Sequence, residues 1–277
     1  MAGATLLHSS PYTLSSFVAR RFSLQPGSYS RFHRFTSTSC RLSHSLRRNK
    51  PPRLAVLAQA RRGFSSKFSS DEFASPDDLY IQEPLKIVEY PDPVLRAKNK
   101  MIGTFDENLK KLADEMFDVM YRTDGVGLSA PQVGKNVQVM VFNPVGVRGE
   151  GKEIVLVNPR VTRYSQKVLP YNEGCLSFPQ IYADVERPDS VKVDAQDING
   201  ATFTVRFTRF PARVFQHEYD HLQGILFFDR MSDKVLDSIR KDLEALEKKY
   251  EDRIGLPSPE KINTRKSSPA AIGFGNS

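Results

Sequence analysis

The first acidic side chain in this 277-residue chain is Asp71. Ahead of it lie twelve Lys and Arg residues, from Arg20 and Arg21 to Lys67, among many Ser and several Pro. The whole chain has a net charge of +8, but residues 71–277 carry 28 basic and 32 acidic side chains, a net of −4. A stretch of one charge sign, with no sustained period of 2 or 3.6, has no apolar face to bury. Residues 1–70 are therefore read as standing outside the fold. Their composition matches an organelle transit peptide, disordered and removed on import. A secretory signal fits poorly, because no compact apolar stretch follows an early basic cluster. The alternative is a basic arm that binds RNA. Leu54 to Ala60 offers small residues near a plausible cleavage point. The Ser content points to the plastid, with the chloroplast stroma as destination; Arg20-Arg21 keeps the mitochondrion open.

Residues 71–277 are long enough for one domain. Two Cys exclude a disulfide-stapled scaffold. The absence of a run of about 18 apolar residues excludes a transmembrane helix. Residues 71–84 read as an acidic, Pro-punctuated linker. Residues 85–250 read as the folded domain and 251–277 as a disordered tail. Phe105 to Tyr121 places Leu109, Leu112, Met116, Phe117 and Met120 on one helical stripe, stopped by Gly125 and Gly127. Strands are expected at Val137–Phe142, Glu153–Val157, Val191–Ala195 and Thr202–Phe207, the last two joined by the turn Asp197-Ile198-Asn199-Gly200. Pro211 to Leu222 reads as a helix with Gly224 past its end. Ser232 caps a last helix reaching about Tyr250. Strands followed by helices, without βαβ alternation, give an α+β fold of mainly antiparallel sheet.

His217-Glu218-Tyr219-Asp220-His221 is an H-E-x-x-H sequence in the helix predicted at Pro211 to Leu222. Spacing of i and i+4 puts both imidazoles on one face, able to share a metal ion with Glu218 beside them as a base. The census sharpens this pattern. His8, His33, His44 and Cys40 fall in the presumed presequence, which leaves His217, His221 and Cys175 as the remaining chain's complement of these types. Two partly buried helix histidines would be the structural alternative. A catalytic metal needs a third protein ligand and an open position. Asp229 and Asp233 are compatible by spacing. Cys175, in Glu173-Gly174-Cys175-Leu176-Ser177, is the better candidate, although a lone Cys is commonly a small buried apolar residue.

Three segments together resemble the peptide deformylase family. They are Gly125-Val126-Gly127-Leu128-Ser129-Ala130-Pro131-Gln132, Glu173-Gly174-Cys175-Leu176-Ser177 and Gln216-His217-Glu218-Tyr219-Asp220-His221-Leu222, in the family's order. Tyr90-Pro91-Asp92-Pro93-Val94-Leu95-Arg96 resembles the family's opening. With the presequence, the chain resembles the plant organellar type. The resemblance covers about residues 85–250 and implies a single domain arranged around the metal-binding helix. It implies removal of the N-formyl group from the initiator methionine of organelle-made polypeptides, by attack of metal-bound hydroxide on the formyl carbon. It further implies Cys175, His217 and His221 as ligands of one divalent ion, Glu218 as proton acceptor and donor, and the Gln132 amide and Leu176 N–H as donors to the developing oxyanion. Gly125, Val126, Gly127, Gly174 and Val214 are the implied substrate-binding residues: the glycines for close approach, Val126 through its backbone, Val214 as pocket or core. Gln216 and Asp220 read as groups that orient the ligating histidines.

Tyr182 stands about where bacterial members often carry Arg, so contacts there do not transfer directly. The family's usual metal is Fe2+; the ligand set also suits Zn2+. A metallopeptidase that cuts internal peptide bonds is the enzymatic alternative, and an RNA- or ribosome-binding module the non-enzymatic one. Arg240, Lys241, Lys248 and Lys249 would be the candidates for contact with a ribosome exit, or a solvated helix face among Asp242, Glu244 and Glu247. The net acidic domain argues against stable nucleic-acid binding.

Overall fold

A computed structural model describes residues 72–81 and 84–264. The expected presequence and residues 265–277 of the expected tail lie outside the described residues.

Among the described residues, four α-helices and seven strands build the fold. The helices are α1 (Pro76–Leu79), α2 (Glu107–Arg122), α3 (Arg209–Leu222) and α4 (Asp233–Ile254). The strands are β1 (Gly127–Ser129), β2 (Val139–Phe142), β3 (Ile154–Tyr164), β4 (Val168–Cys175), β5 (Phe178–Pro188), β6 (Ser190–Gln196) and β7 (Thr202–Thr208). Five strands form one sheet in the order β1-β2-β3-β6-β7, and β4 and β5 form a separate hairpin. Every strand pair is antiparallel, with isolated parallel bridges at Phe73–Met101 and Lys100–Val137.

Strand β2 shows why the sheet carries helices on both faces. Val139 and Val141 join the cluster of α2 residues, whereas Met140 and Phe142 join that of α3. All four are buried, so the strand reads as a continuous apolar run. Helix α2 brings its stripe of Leu109, Leu112, Met116 and Met120 to one face, and Asp106 caps it by accepting from the Leu109 N–H. Helix α3 lies on the other face with Phe215 and Val214 inward. A third cluster joins β5 to α4 through Phe178, Ile181, Val185, Leu236, Ile239 and Leu243.

Three sequence expectations need correction. The supposed linker at 71–84 holds a short helix and buried side chains. Ser75 and Asp78 form a capping box on α1, Asp78 pairs with Lys100 at 2.9 Å, and Leu79 and Ile81 are buried against the α2 cluster. Asp78 thus serves a local cap and an ion pair. The supposed tail is folded to Thr264. Helix α4 runs to Ile254 and ends on Gly255 in the left-handed conformation. Beyond it Glu260 binds Arg96 at 2.7 Å, and Ile262 is buried with its N–H on the Glu247 carboxylate. Finally, the β4–β5 hairpin was absent from the expected strands. Strand β4 is exposed along most of its length and shows no alternation. Strand β5 does alternate, with Ile181, Ala183 and Val185 inside and Tyr182, Asp184 and Glu186 outside, and that signal was available.

Candidate metal centre

Helix α3 presents His217 and His221 on successive turns, with ring centroids 5.3 Å apart. Cys175 ends β4, where the pairing register jumps from Gly174–Tyr182 to Cys175–Phe178. This irregular turn delivers the thiol to the helix. Cys175 Sγ lies 3.2 Å from His221 Nε2, and the donor atoms of Cys175, His217 and His221 all fall within 4.8 Å of one another. Tetrahedral zinc with bonds of about 2.0–2.3 Å would separate its donors by roughly 3.3–3.7 Å, so the trio fits one ion of that size. Asp229 is occupied by Arg96 and by the Leu226 N–H, and Asp233 opens helix α4; neither belongs to the donor cluster found among the described residues.

Charge around the trio fits a cation as well. Burial works against protonation of His217, yet Cys175 and the Glu173 carboxylate outweigh it and raise its pKa well above the usual value. Positive charge is therefore favoured at the centre of this cluster. Burial, followed by His217 and Arg187, pushes His221 well below the usual range, so its ring is neutral and free to act as a ligand.

Glu173, not Asp220, orients His217: its Oε2 lies 3.0 Å from His217 Nδ1. Glu173 also accepts from Arg187 at 2.8 and 3.1 Å and from Arg213 at 2.6 Å. Burial opposes ionisation of this carboxyl, but Arg187 and His217 hold it well below the usual carboxylate range. Asp220 instead binds Arg187 at 2.7 Å and Arg230 at 2.5 Å. Gln216 donates to the carbonyls of Pro188 and Ala212, tying α3 to the end of β5. The sequence reading passed over Arg187, whose side chain is fully buried. Its signal was weak: an Arg at the next inward position of an alternating strand.

Glu218 is buried beside the ligands, and its Oε2 has no hydrogen-bond partner among the described residues. Desolvation raises its pKa to about 7, against lowering by His217 and a hydrogen bond with Ser129. That value suits a group that must both take and give a proton near neutrality. Gln132 sits in the short 3-10 turn after β1, and its carboxamide orientation is fixed. Oε1 accepts from the N–H and hydroxyl of Ser129 at 2.9 and 2.8 Å, which turns Nε2 to within 3.5 Å of Cys175 Sγ. The amide protons therefore face the metal cluster.

The implied substrate-binding residues are placed less uniformly. A Cβ on Gly127 would lie 2.7 Å from Val214 Cγ1 and 2.8 Å from Glu218 Oε1. This glycine therefore admits helix α3, a role beyond the expected approach of substrate. A Cβ on Gly125 would meet Leu176 Cδ1 at 2.9 Å, and one on Gly174 would enter the ring of Tyr182, its cross-strand partner. Leu176 is half-buried against the α2 cluster. Val126 gives its carbonyl to the Asn143 N–H at 2.9 Å. Val214 is buried in the α3 cluster.

A polypeptide deformylase family model matches residues 84–236, more than half of the chain. The chain belongs to the polypeptide deformylase family. It is similar to peptide deformylase 1B, chloroplastic, of Solanum lycopersicum, with 65% identity over all of this chain and 99% of that protein. It is 59% identical to peptide deformylase 1B, chloroplastic/mitochondrial, of Arabidopsis thaliana, over 93% of this chain and 92% of that one. A crystal structure of an Arabidopsis thaliana peptide deformylase 1B variant matches with a TM-score of 0.65 and 69% identity, covering 66% of this chain and all of the other. The three motifs and the donor trio thus sit in a deformylase fold.

Proposed function

We propose that this chain hydrolyses the N-formyl group from the initiator methionine of newly made organelle polypeptides, releasing formate and a free amino terminus. The observation that carries this reading is the cluster of Cys175, His217 and His221 within 4.8 Å, with buried Glu218 beside it. A divalent ion held there would act as a Lewis acid and make a water nucleophile available at neutral pH. Glu218 takes the proton of the attacking water and returns it to the leaving amine. Gln132 Nε2 and the Leu176 N–H donate to the formyl oxygen as negative charge builds on it, in the manner of an oxyanion hole. Glu173, accepting from His217 Nδ1, would leave Nε2 as the nitrogen to hold the ion. Gly125, Val126, Gly127, Gly174 and Val214 border the path of the substrate.

Fe2+ is the proposed native ion, with Zn2+ the competing occupant. The chloroplast stroma, with the mitochondrion as a second site, is the proposed location, supported by the naming of the relatives. Contact with a ribosome exit would fall to Lys241 and Lys248, since Arg240 and Lys249 pair with Asp237 and Glu89. No helix of the described residues is long and apolar enough to cross a membrane.

The test is formate release from formyl-Met-Ala-Ser by anaerobically purified protein, alongside an unblocked peptide of the same sequence. Formate release with the unblocked peptide intact supports the proposal; cleavage of internal bonds would establish the metallopeptidase alternative. Iron at one equivalent, with activity lost in air, supports the Fe2+ assignment. Full activity with stoichiometric zinc after aerobic handling would overturn it.

A further inference from the structure

The metal donors come from two pieces of backbone that share no sheet. His217 and His221 ride on α3, which packs on the five-stranded sheet, whereas Cys175 ends the separate β4–β5 hairpin. A two-stranded hairpin has little stability of its own. Its apolar face packs on α4, and side-chain ties to α3 hold its Cys175 end to the helix that carries the histidines. Arg213, on α3 one turn ahead of His217, makes the most extensive of these. Its Nη1 donates to Glu173 Oε1 at 2.6 Å and to the Val185 carbonyl at 3.0 Å, and its Nη2 donates to the Leu169 carbonyl at 2.6 Å. One helix side chain thus grips both strands of the hairpin and the carboxylate that orients His217. Its guanidinium also lies 5.2 Å from the centre of the Tyr171 ring, and the residue is 8% exposed.

We infer that Arg213 is a positioning residue for the metal centre: by clamping β4 and β5 to α3 it sets the distance from Cys175 to the two histidines, and so the retention of the ion. The inference rests on the proposed ligand role of Cys175, His217 and His221. Arg213 touches none of the donor atoms, so its effect must pass through the hairpin and Glu173. The planar fork matters here. A lysine nitrogen could replace the contact with Glu173, but it could not also span to the Leu169 carbonyl.

The test uses the full chain loaded with Co2+, whose thiolate charge-transfer and ligand-field bands report the donor geometry. Arg213→Met and Arg213→Lys are compared with the parent for these bands and for the rate of cobalt loss to a chelator. Outer partners of metal ligands typically contribute about 10- to 100-fold in metal affinity. Cobalt loss should therefore quicken by at least about tenfold in Arg213→Met, with altered bands, and by less in Arg213→Lys. If Arg213→Met does not fold, Arg213→Lys decides on the same readouts. A folded variant with a lowered melting temperature but parental bands and cobalt loss would show a merely structural role and overturn the inference. A parent chain that binds no cobalt through its thiolate would instead overturn the ligand assignment on which the inference rests.

Discussion

Replacing Gly127 by Ala separates two roles of this glycine. The backbone there does not require a positive φ, so strain in the turn is not at issue. The new methyl would lie 2.7 Å from Val214 Cγ1, 2.8 Å from Glu218 Oε1 and 3.0 Å from Glu218 Cγ. Val214 cannot yield easily, because a β-branched side chain in a helix has one strongly preferred rotamer. Either the helix moves away from β1 or Glu218 leaves its place. Overpacking of this kind costs about 1–3 kcal/mol, and the stiffer unfolded chain returns about 0.4–1 kcal/mol. The expected net loss is about 1–2 kcal/mol, or roughly 2–8 °C in Tm for a domain of this size. The loss of rate should be larger than this implies, because a displacement of about 1 Å in a reacting group costs on the order of 100-fold. Adding Val214→Ala should restore most of the stability, while the clash with Glu218 remains and kcat stays low. Thermal denaturation and formate release on metal-loaded protein give both numbers. A Gly127→Ala variant with parental Tm and kcat would refute the reasoning. So would a double variant that recovers rate and stability together.

Other outcomes stem from the buried charges. Gln132→Ala removes the proposed oxyanion donor, whose orientation Ser129 fixes; kcat should fall about 100- to 1000-fold, and a loss confined to KM would count against the role. Folding favours protonated Glu218, since its pKa rises from 4.5 to about 7. Its contribution to stability is therefore present below pH 4.5 and lost as pH climbs through 7. In the metal-free chain, Glu218→Gln should gain on the parent between pH 5 and pH 8 by up to about 3 kcal/mol, as followed by urea denaturation; an unchanged difference would show that Glu218 is not the desolvated group. The acid limb of kcat/KM should fall at or below pH 7, because a bound cation favours the carboxylate; a limb well above 7 would contradict that order. Arg187→Met takes one cation from both buried Glu173 and buried Asp220, which keep Arg213 and Arg230, and breaking a buried pair costs about 3–5 kcal/mol. A loss under about 1 kcal/mol by urea denaturation would mean that the network adjusts.

The ligands were legible before any coordinates because their chemistry is local. The four-residue spacing of His217 and His221 is a property of a single helix. Cys175 stood out because its type is so scarce in the chain after residue 70. Helix α2, strands β2, β6 and β7 and the capped start of α4 were visible for a similar reason, since their apolar periods repeat within a few residues. Strand β4 has no such period, and β5 carries an arginine at an inward position, so the hairpin that delivers Cys175 was missed.

By itself, then, the sequence determined which side chains can hold an ion and where most elements run. Tertiary structure decided their partners. Only folding places Glu173 on His217, sends Asp220 to Arg187 and Arg230, aims the Gln132 amide with Ser129, and presses Val214 and Glu218 against Gly127. It also packs Leu79 and Ile262, which the sequence had assigned to a linker and a tail. Each of these contacts joins residues distant in the chain or turns on which way a side chain faces, and local period carries no information about either. Surroundings then set the charges: the same carboxyl group is held low at Glu173 by Arg187 and His217 and raised to about 7 at Glu218 by desolvation.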